Sequence, residues 1–382
     1  MPYPLLRIVL NIKTWNANCL QLRILLVIII PLTNSHERLS HMMMKKAAVT
    51  ALLSAFGVAA SNAQAADTEL NIYSARHYQT DEVLYGNFSK QTGIRVNRIE
   101  AKEDELLERI RNEGVNSPAD IFITVDASRL AHADEMGIFT PVESQILDER
   151  IPANLRTERW FSFSKRARMI VYNPELVKGE QVQSYEQLAD PGLKGKVCTR
   201  SGSHPYNLSL GAAMIKHIGA DETVKWASGI VDNFARAPKG GDTDQIKSVA
   251  AGECGVAIAN SYYLARLMNS TKAEDQAVVA NIRAVWPNQQ SWGTHINVSG
   301  AGMLKTAPHK EAAVKFLEYL ASDEAQAYFA NGNNEWPVVT SVKIDNPALD
   351  KLGEFKADSM PIGELANGVA QAQKIYDRAG YR

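Results

Sequence analysis

LNIYSARHYQTDEVLYGNFSKQTGIRVNRIEA, residues 70–101, carries the alternation on which the rest of the chain is built. An apolar run at Leu70–Ala75 reads as a strand, Asp81–Gln91 has the spacing of a helix, and Ile94–Ala101 returns to a strand. That is βαβ grammar, and it continues outward with a helix over Glu103–Asn112. Asp120–Val125 (DIFITV), after Pro118, is a continuous apolar run, as expected of a parallel strand covered on both faces; Ser128–Met136 reads as the helix that follows. The pattern loosens after Pro141. It resumes with strands at Arg168–Asn173 and Lys196–Arg200 and a helix over Asn207–Ile218, which Gly219 stops. Further helices are predicted over Asp221–Asp232 and Thr243–Ala251, a buried strand over Val256–Asn260, and a helix opening at Tyr262–Met268. Arg283–Trp286 and Ile296–Met303 look extended, while Lys310–Ala330 and Glu364–Arg378 are amphipathic helices. No internal repeat and no low-complexity linker divides the chain. Two α/β lobes joined by more than one crossing, with a cleft between them, fit that pattern.

Composition narrows the function. The 382 residues are 45% hydrophobic and 22% charged, enough for two ordinary globular cores and unlike a disordered or fibrous chain. With 41 Lys and Arg against 42 Asp and Glu, the net charge of -1 offers no basic surplus for nucleic acid. Three cysteines exclude a disulfide scaffold, and no run reaches the roughly 20 apolar residues of a membrane-spanning helix.

From Met44 the chain reads Lys45-Lys46, an apolar stretch Ala47–Ala60, then Ala63-Gln64-Ala65. This is the charged, apolar and small-residue order of a secretory signal, with cleavage expected after Ala65. A short hydrophobic helix of the mature domain is the alternative, against which the lack of a polar face counts. No cysteine follows the cleavage position, so no lipoprotein anchor is expected. Residues 1–41 hold a second apolar run, Ile24–Leu32, too short to span and carrying Pro31. Residues 1–65 therefore read as a signal peptide behind an extension from a start codon placed too early, Met42, Met43 or Met44 being the true start. A tethered or doubly targeted form is the alternative. Without these residues about 35 bases face 41 acids, a net charge of roughly −6. Cys198 and Cys254 remain, and in an oxidising compartment such pairs usually bridge; two free buried thiols are the alternative.

Four enzyme templates are absent: the Gly-x-Ser-x-Gly elbow, a Gly-rich Walker loop, a His-Glu-x-x-His helix and Cys-x-x-Cys. Gly192-Leu193-Lys194-Gly195-Lys196 leads into a strand and reads as a turn. What stands out is the position of four tyrosines. Tyr78 lies between the strand Leu70–Ala75 and the helix at Asp81, and Tyr206 between Lys196–Arg200 and the helix at Asn207. Tyr262 and Tyr263 open the helix after Val256–Asn260. These are strand-to-helix junctions, where open α/β sheets bind ligands and where helix N-termini favour an ionised phenol. His77 adjoins Tyr78, and His204 lies two residues before Tyr206. A phenol, with an ordinary pKa of about 10, becomes a good ligand only when a strongly acidic cation takes its proton, and Fe(III) is such a cation. Four phenolates on a trivalent ion leave an anionic centre. Arg266, one turn beyond the tyrosine pair, or an arginine of Lys165-Arg166-Ala167-Arg168, is a candidate to neutralise it. Taken singly, each tyrosine reads as a core or interface ring with its hydroxyl on the backbone, and the two arginine assignments compete with plain solvated charge. His132, His217, His295 and His309 read as structural or surface residues. Coincidence of position, not any one residue, sets the four tyrosines apart.

Four stretches go further: Asn71–Asp81 (NIYSARHYQTD), Pro118–Asp126 (PADIFITVD), Arg200–Leu210 (RSGSHPYNLSL) and Ala250–Leu264 (AAGECGVAIANSYYL). With them the chain beyond residue 65 resembles the periplasmic ferric-iron-binding proteins of iron ABC transporters, in particular the Fut-type branch. The resemblance implies an α/β, two-lobed, hinged periplasmic solute-binding protein of type II with its ligand cleft between the lobes. The first lobe would comprise residues 66–168 plus 293–343, the second 169–292 plus 344–382. Five ligands to Fe(III) are implied: His77 and Tyr78 from the first lobe, and Tyr206, Tyr262 and Tyr263 from the second, with no bound carbonate or phosphate required. His204 stays a neighbour. The resemblance further implies a non-catalytic, monomeric carrier that closes on the metal and delivers it to an inner-membrane ABC permease. Two readings compete. One is a binding protein of the same fold for a small organic or oxyanion solute, with the tyrosines stacking on it or hydrogen-bonding to it. The other is an enzyme using a histidine and a carboxylate such as Asp81, for which no nucleophile with a positioned base is recognisable.

Overall fold

The computed structural model describes residues 5–13, 23–31, 68–76 and 78–382, the first two segments by their backbone. The expected signal and its cleavage position, and His77, lie outside the described residues. The chain divides into Met1–Ala66 and Asp67–Arg382, each described by itself. In the first unit β1 (Leu5–Lys13) pairs antiparallel with β2 (Arg23–Pro31), so the apolar run beginning at Ile24 is one strand of a hairpin.

The second unit opens with β3 (Glu69–Ser74), α1 (Asp81–Thr92), β4 (Arg95–Glu100), α2 (Glu103–Glu113), β5 (Ile121–Thr124) and α3 (Ala127–Glu135). After α4 (Gln145–Arg150) comes the long strand β6 (Trp160–Tyr172), then β7 (Val197–Cys198) and helices α5 (Pro205–Ile218), α6 (Ala220–Asp232) and α7 (Asp242–Ala250). Next are β8 (Val256–Asn260), α8 (Ser261–Met268), α9 (Ala273–Ala280), β9 (Arg283–Val285) and β10 (Ile296–Met303). The chain ends with α10 (Lys310–Leu320), α11 (Asp323–Asn333), β11 (Trp336–Pro337), α12 (Pro347–Leu352) and α13 (Leu365–Ala379).

β3 runs parallel to β4 and β5, as βαβ units demand, while β10 lies antiparallel to β5 and β6. β5 is therefore parallel on one side only, although it is buried throughout, as its unbroken apolar run requires. The sheet order β4-β3-β5-β10-β6-β8-β7 turns on β6. Trp160–Ala167 of that strand pair with β10, and Arg168–Tyr172 pair with β8 and β9. The cores follow the same line. One draws on residues between Leu70 and Ala167 and between Ile296 and Leu365, joined by Ala212 and Ala213. A second joins residues between Ile170 and Ile258 to Ala372–Tyr381, and a third lies between Met169 and Ile282.

Several expectations shift. Lys310–Ala330 is not one helix but α10 and α11, because Ser322 Oγ accepts the Ala325 N–H and starts a new helix. The strand expected from Arg168 already begins at Trp160; buried Ser162, Ser164 and Arg166 break its apolar pattern, the last two because they pair with Glu335. The strand expected over Lys196–Arg200 shortens to Val197–Cys198, and α9 escaped the reading because none of its residues is buried. Cys198 and Cys254 form a disulfide with Cα atoms 5.8 Å apart, linking the end of β7 to the residues just before β8.

Candidate metal centre

Each candidate tyrosine owes its position to a chain turn at a strand's end. Tyr78 sits between β3 and α1, its carbonyl accepting the Asp81 N–H at 2.9 Å. Tyr206 lies in the first turn of α5, where Pro205 is preset for the first helical position and His204 caps the helix. His204 Nδ1 accepts the Tyr206 N–H at 3.2 Å, which occupies that nitrogen. Burial, with the charges of Arg200 and Arg168, lowers the imidazole to about 3, so His204 is a neutral cap. Tyr262 and Tyr263 stand in the first turn of α8, directly after β8.

The four phenols meet. Tyr78, Tyr206, Tyr262 and Tyr263 line one cavity of about 510 Å³, together with Thr80 and Arg266. The Tyr206 and Tyr262 hydroxyls are 3.1 Å apart, and the Tyr262 and Tyr263 rings lie 4.2 Å apart between centroids. Every ring has a guanidinium on it. Arg76 Cζ is 4.4 Å from the Tyr78 ring and Arg166 Cζ 5.9 Å from Tyr262. Arg200 and Arg168 approach Tyr206 at 5.0 and 5.8 Å, and Arg266 is 5.8 Å from Tyr263. Both arginine assignments made from sequence thus sit beside phenols, with Arg166 and Arg168 on alternate positions of β6 and hence on one face.

Burial dominates the phenol ionisation. It pushes Tyr78 up to about 12, with Glu335 adding to the rise and Arg166 and Arg76 opposing it. Burial also raises Tyr262 well above its ordinary value, reinforced by Tyr78, Tyr206 and Tyr263, and it raises Tyr263. By themselves these groups stay protonated at neutral pH. Among the described residues no group of three or more His, Cys, Asp and Glu side chains is placed to hold a metal, so a cation here finds phenol oxygens first.

Two buried carboxylates hold the arginines in place. Asp242 accepts from Arg168 Nη1 at 2.5 Å, Arg200 Nη1 at 3.2 Å and the Asn260 N–H at 2.7 Å. Glu335 accepts from Arg76 Nη2 at 2.9 Å and Ser164 Oγ at 2.9 Å, and pairs with Arg166 Nη2 at 3.0 Å. Asp81, the carboxylate of the enzyme reading, is engaged by Arg76 Nε at 2.5 Å and Asn333 Nδ2 at 2.9 Å. Sequence reasoning missed Arg76, Arg200, Asp242 and Glu335. The two arginines adjoin tyrosine motifs and were within reach; Glu335 lies 259 residues from Arg76, with no spacing to reveal it.

A mixed α/β unit whose long strand serves two cores, with a cavity at the carboxyl ends of its strands, has the architecture of a type II solute-binding protein. The chain belongs to the bacterial extracellular solute-binding protein family, whose profile matches residues 116–353. Iron uptake protein A1 of Synechocystis sp. (strain ATCC 27184 / PCC 6803 / Kazusa) is 49% identical over 316 residues, 82% of this chain and 88% of the relative. The Trichodesmium FutA (IdiA) structure in complex with iron and citrate matches with a TM-score of 0.79 and 52% identity, covering 82% of this chain and all of that one. Apo FutA2 from Synechocystis PCC6803 matches with a TM-score of 0.78 and 47% identity, covering 83% of this chain and 100% of its own.

Proposed function

We propose that this protein is a periplasmic carrier that captures Fe(III) in the cleft between its lobes and delivers it to an inner-membrane ABC permease for iron uptake. The observation that carries this reading is the meeting of Tyr78, Tyr206, Tyr262 and Tyr263 at one cavity, each ring faced by a guanidinium. A trivalent cation displaces the phenol protons and is held by the oxygens that remain, while the arginines offset the anionic centre. The kinship with an iron uptake protein and with an iron-bound structure supports ferric iron as the cargo.

His77 completes the ligand set in this reading. The first lobe, residues 66–168 with 293–343, brings His77 and Tyr78; the second, 169–292 with 344–382, brings Tyr206, Tyr262 and Tyr263. Only the closed state gathers all five donors, and that state is what the permease recognises. The protein works as a monomer, is secreted by a signal removed after Ala65, and carries its ligand without transforming it. The test is a visible titration with ferric citrate. A red-orange phenolate-to-iron charge-transfer band that saturates at one iron per protein is expected; a folded protein that stays colourless would falsify the reading.

A further inference from the structure

We propose that Glu335 is a positioning residue of the ferric site: by occupying Arg76 and Arg166, it keeps their guanidinium groups from donating to the oxygens of Tyr78 and Tyr262, so that bound iron stays exchangeable. This rests on the ferric reading given above.

Glu335 is fully buried in the segment between α11 and β11, and its partners come from two other elements. Arg76 belongs to the β3–α1 turn that carries Tyr78; Ser164 and Arg166 belong to β6. Most of the arginines' other donors are also taken. Arg76 donates through Nε to Asp81 and through Nη1 to Ser299 Oγ at 2.5 Å. Arg166 donates through Nη1 to the Val125 carbonyl at 2.9 Å and through Nη2 to the same Ser299 hydroxyl. That hydroxyl sits at a register shift of β10 between Ser299 and Gly300, the kind of bulge that re-aims a side chain. Both guanidinium groups therefore lie against tyrosine rings, yet among the described residues neither donates a hydrogen bond to a phenol oxygen. Spare capacity exists: Arg166 Nε is buried with no hydrogen-bond partner.

A guanidinium–phenolate hydrogen bond is charge-assisted and strong, and it would deepen the hold on iron. Glu335 accepts the Arg76 Nη2 donor with a full negative charge and holds Arg166 by that charge alone, its Oε1 accepting no hydrogen bond among the described residues. A carboxylate that served only to hold the fold would, when neutralised, loosen the site and weaken iron binding. The competing role predicts the opposite sign.

The experiment compares wild type with Glu335→Gln, each loaded from ferric citrate, and follows both the visible band and the rate at which iron passes to a competing chelator. Glu335→Gln should release iron roughly tenfold more slowly, the worth of a charged hydrogen bond. Its band should move to shorter wavelength, because donation lowers the energy of the phenolate electrons. Folded Glu335→Gln protein with an unmoved band, or one that releases iron at the wild-type rate or faster, overturns the proposal while wild-type colour leaves the ferric reading standing. A colourless wild type overturns that reading itself. If Glu335→Gln does not fold, Glu335→Asp withdraws the carboxylate from the same two guanidiniums without changing charge. It should shift band and rate in the same directions by less; no shift in either overturns the proposal.

Discussion

The two sides of the cavity are held together differently. Tyr206, Tyr262 and Tyr263 begin helices that follow neighbouring parallel strands, β7 and β8, and the Cys198–Cys254 disulfide ties β7 to the residues just before β8. Asp242 then ties Arg200, Arg168 and the Asn260 backbone into one buried cluster beneath the three phenols. Tyr78, by contrast, stands alone on a turn. It is steadied from outside by Arg76 through Asp81 and Glu335, and by Thr80, whose hydroxyl bonds Asn333 and whose carbonyl accepts from Tyr328. On the ferric reading proposed above, the braced trio is a preformed landing place for iron and the single phenol on its turn is a clasp. Preorganised donors need little reordering when the ion arrives, whereas a clasp reports its arrival by moving.

The sharpest way to break this comparison is to remove one hydroxyl from each side. Tyr262→Phe should weaken ferric binding by more than about a hundredfold, since even a partner outside a metal's ligand shell is worth about 10–100-fold. Tyr78→Phe should lose less, retain a tyrosinate colour, and fail to compact on loading in small-angle scattering. Equal losses, with equal compaction, would mean that the trio has no priority over the clasp.

Next in size is the brace itself. The disulfide closes a sequence separation of 56 residues, so Cys198→Ser with Cys254→Ser should cost about 4 kcal/mol of stability in denaturant titrations on the chain-entropy model. Iron affinity should fall as well, through the trio. A double variant with wild-type affinity would show that Asp242 and its arginines suffice to hold the three phenols.

Much of this contrast was legible in the sequence, for a physical reason. β3, β8, β10 and the helices beside the tyrosines follow local periodicity, and a junction between strand and helix is itself a local feature, so all four phenols could be placed from spacing. The polar network beneath them could not. Ser164, Arg166 and Arg168 look like surface residues on a strand, yet they are buried, because Glu335 and Asp242 arrive from distant parts of the chain to pair with them. The break at Ser322 was equally hidden, since α10 and α11 share an amphipathic pattern and only the capping serine separates them.

The smallest effect concerns protons, and it distinguishes the two states of the same cavity. In the apo protein Tyr78 is pushed up to about 12, and Tyr262 and Tyr263 also lie above their ordinary value of 10.0, chiefly through burial. The folded chain thus keeps protons that the unfolded chain surrenders at about pH 10, so the unfolded state binds fewer protons above that point. Stability of the apo protein should be flat below about pH 10 and fall as pH rises from there toward 12. If the phenols are the ligands, as proposed above, iron-loaded protein has already given up those protons and should show a shallower alkaline slope, while at the acid end protons compete for the same oxygens and drive iron off. Melting temperatures of both forms across the alkaline range measure the difference. Parallel slopes would place the phenols outside the ligand set. A difference between the slopes that survives Tyr78→Phe but vanishes in Tyr262→Phe would assign the bound charge to the braced side.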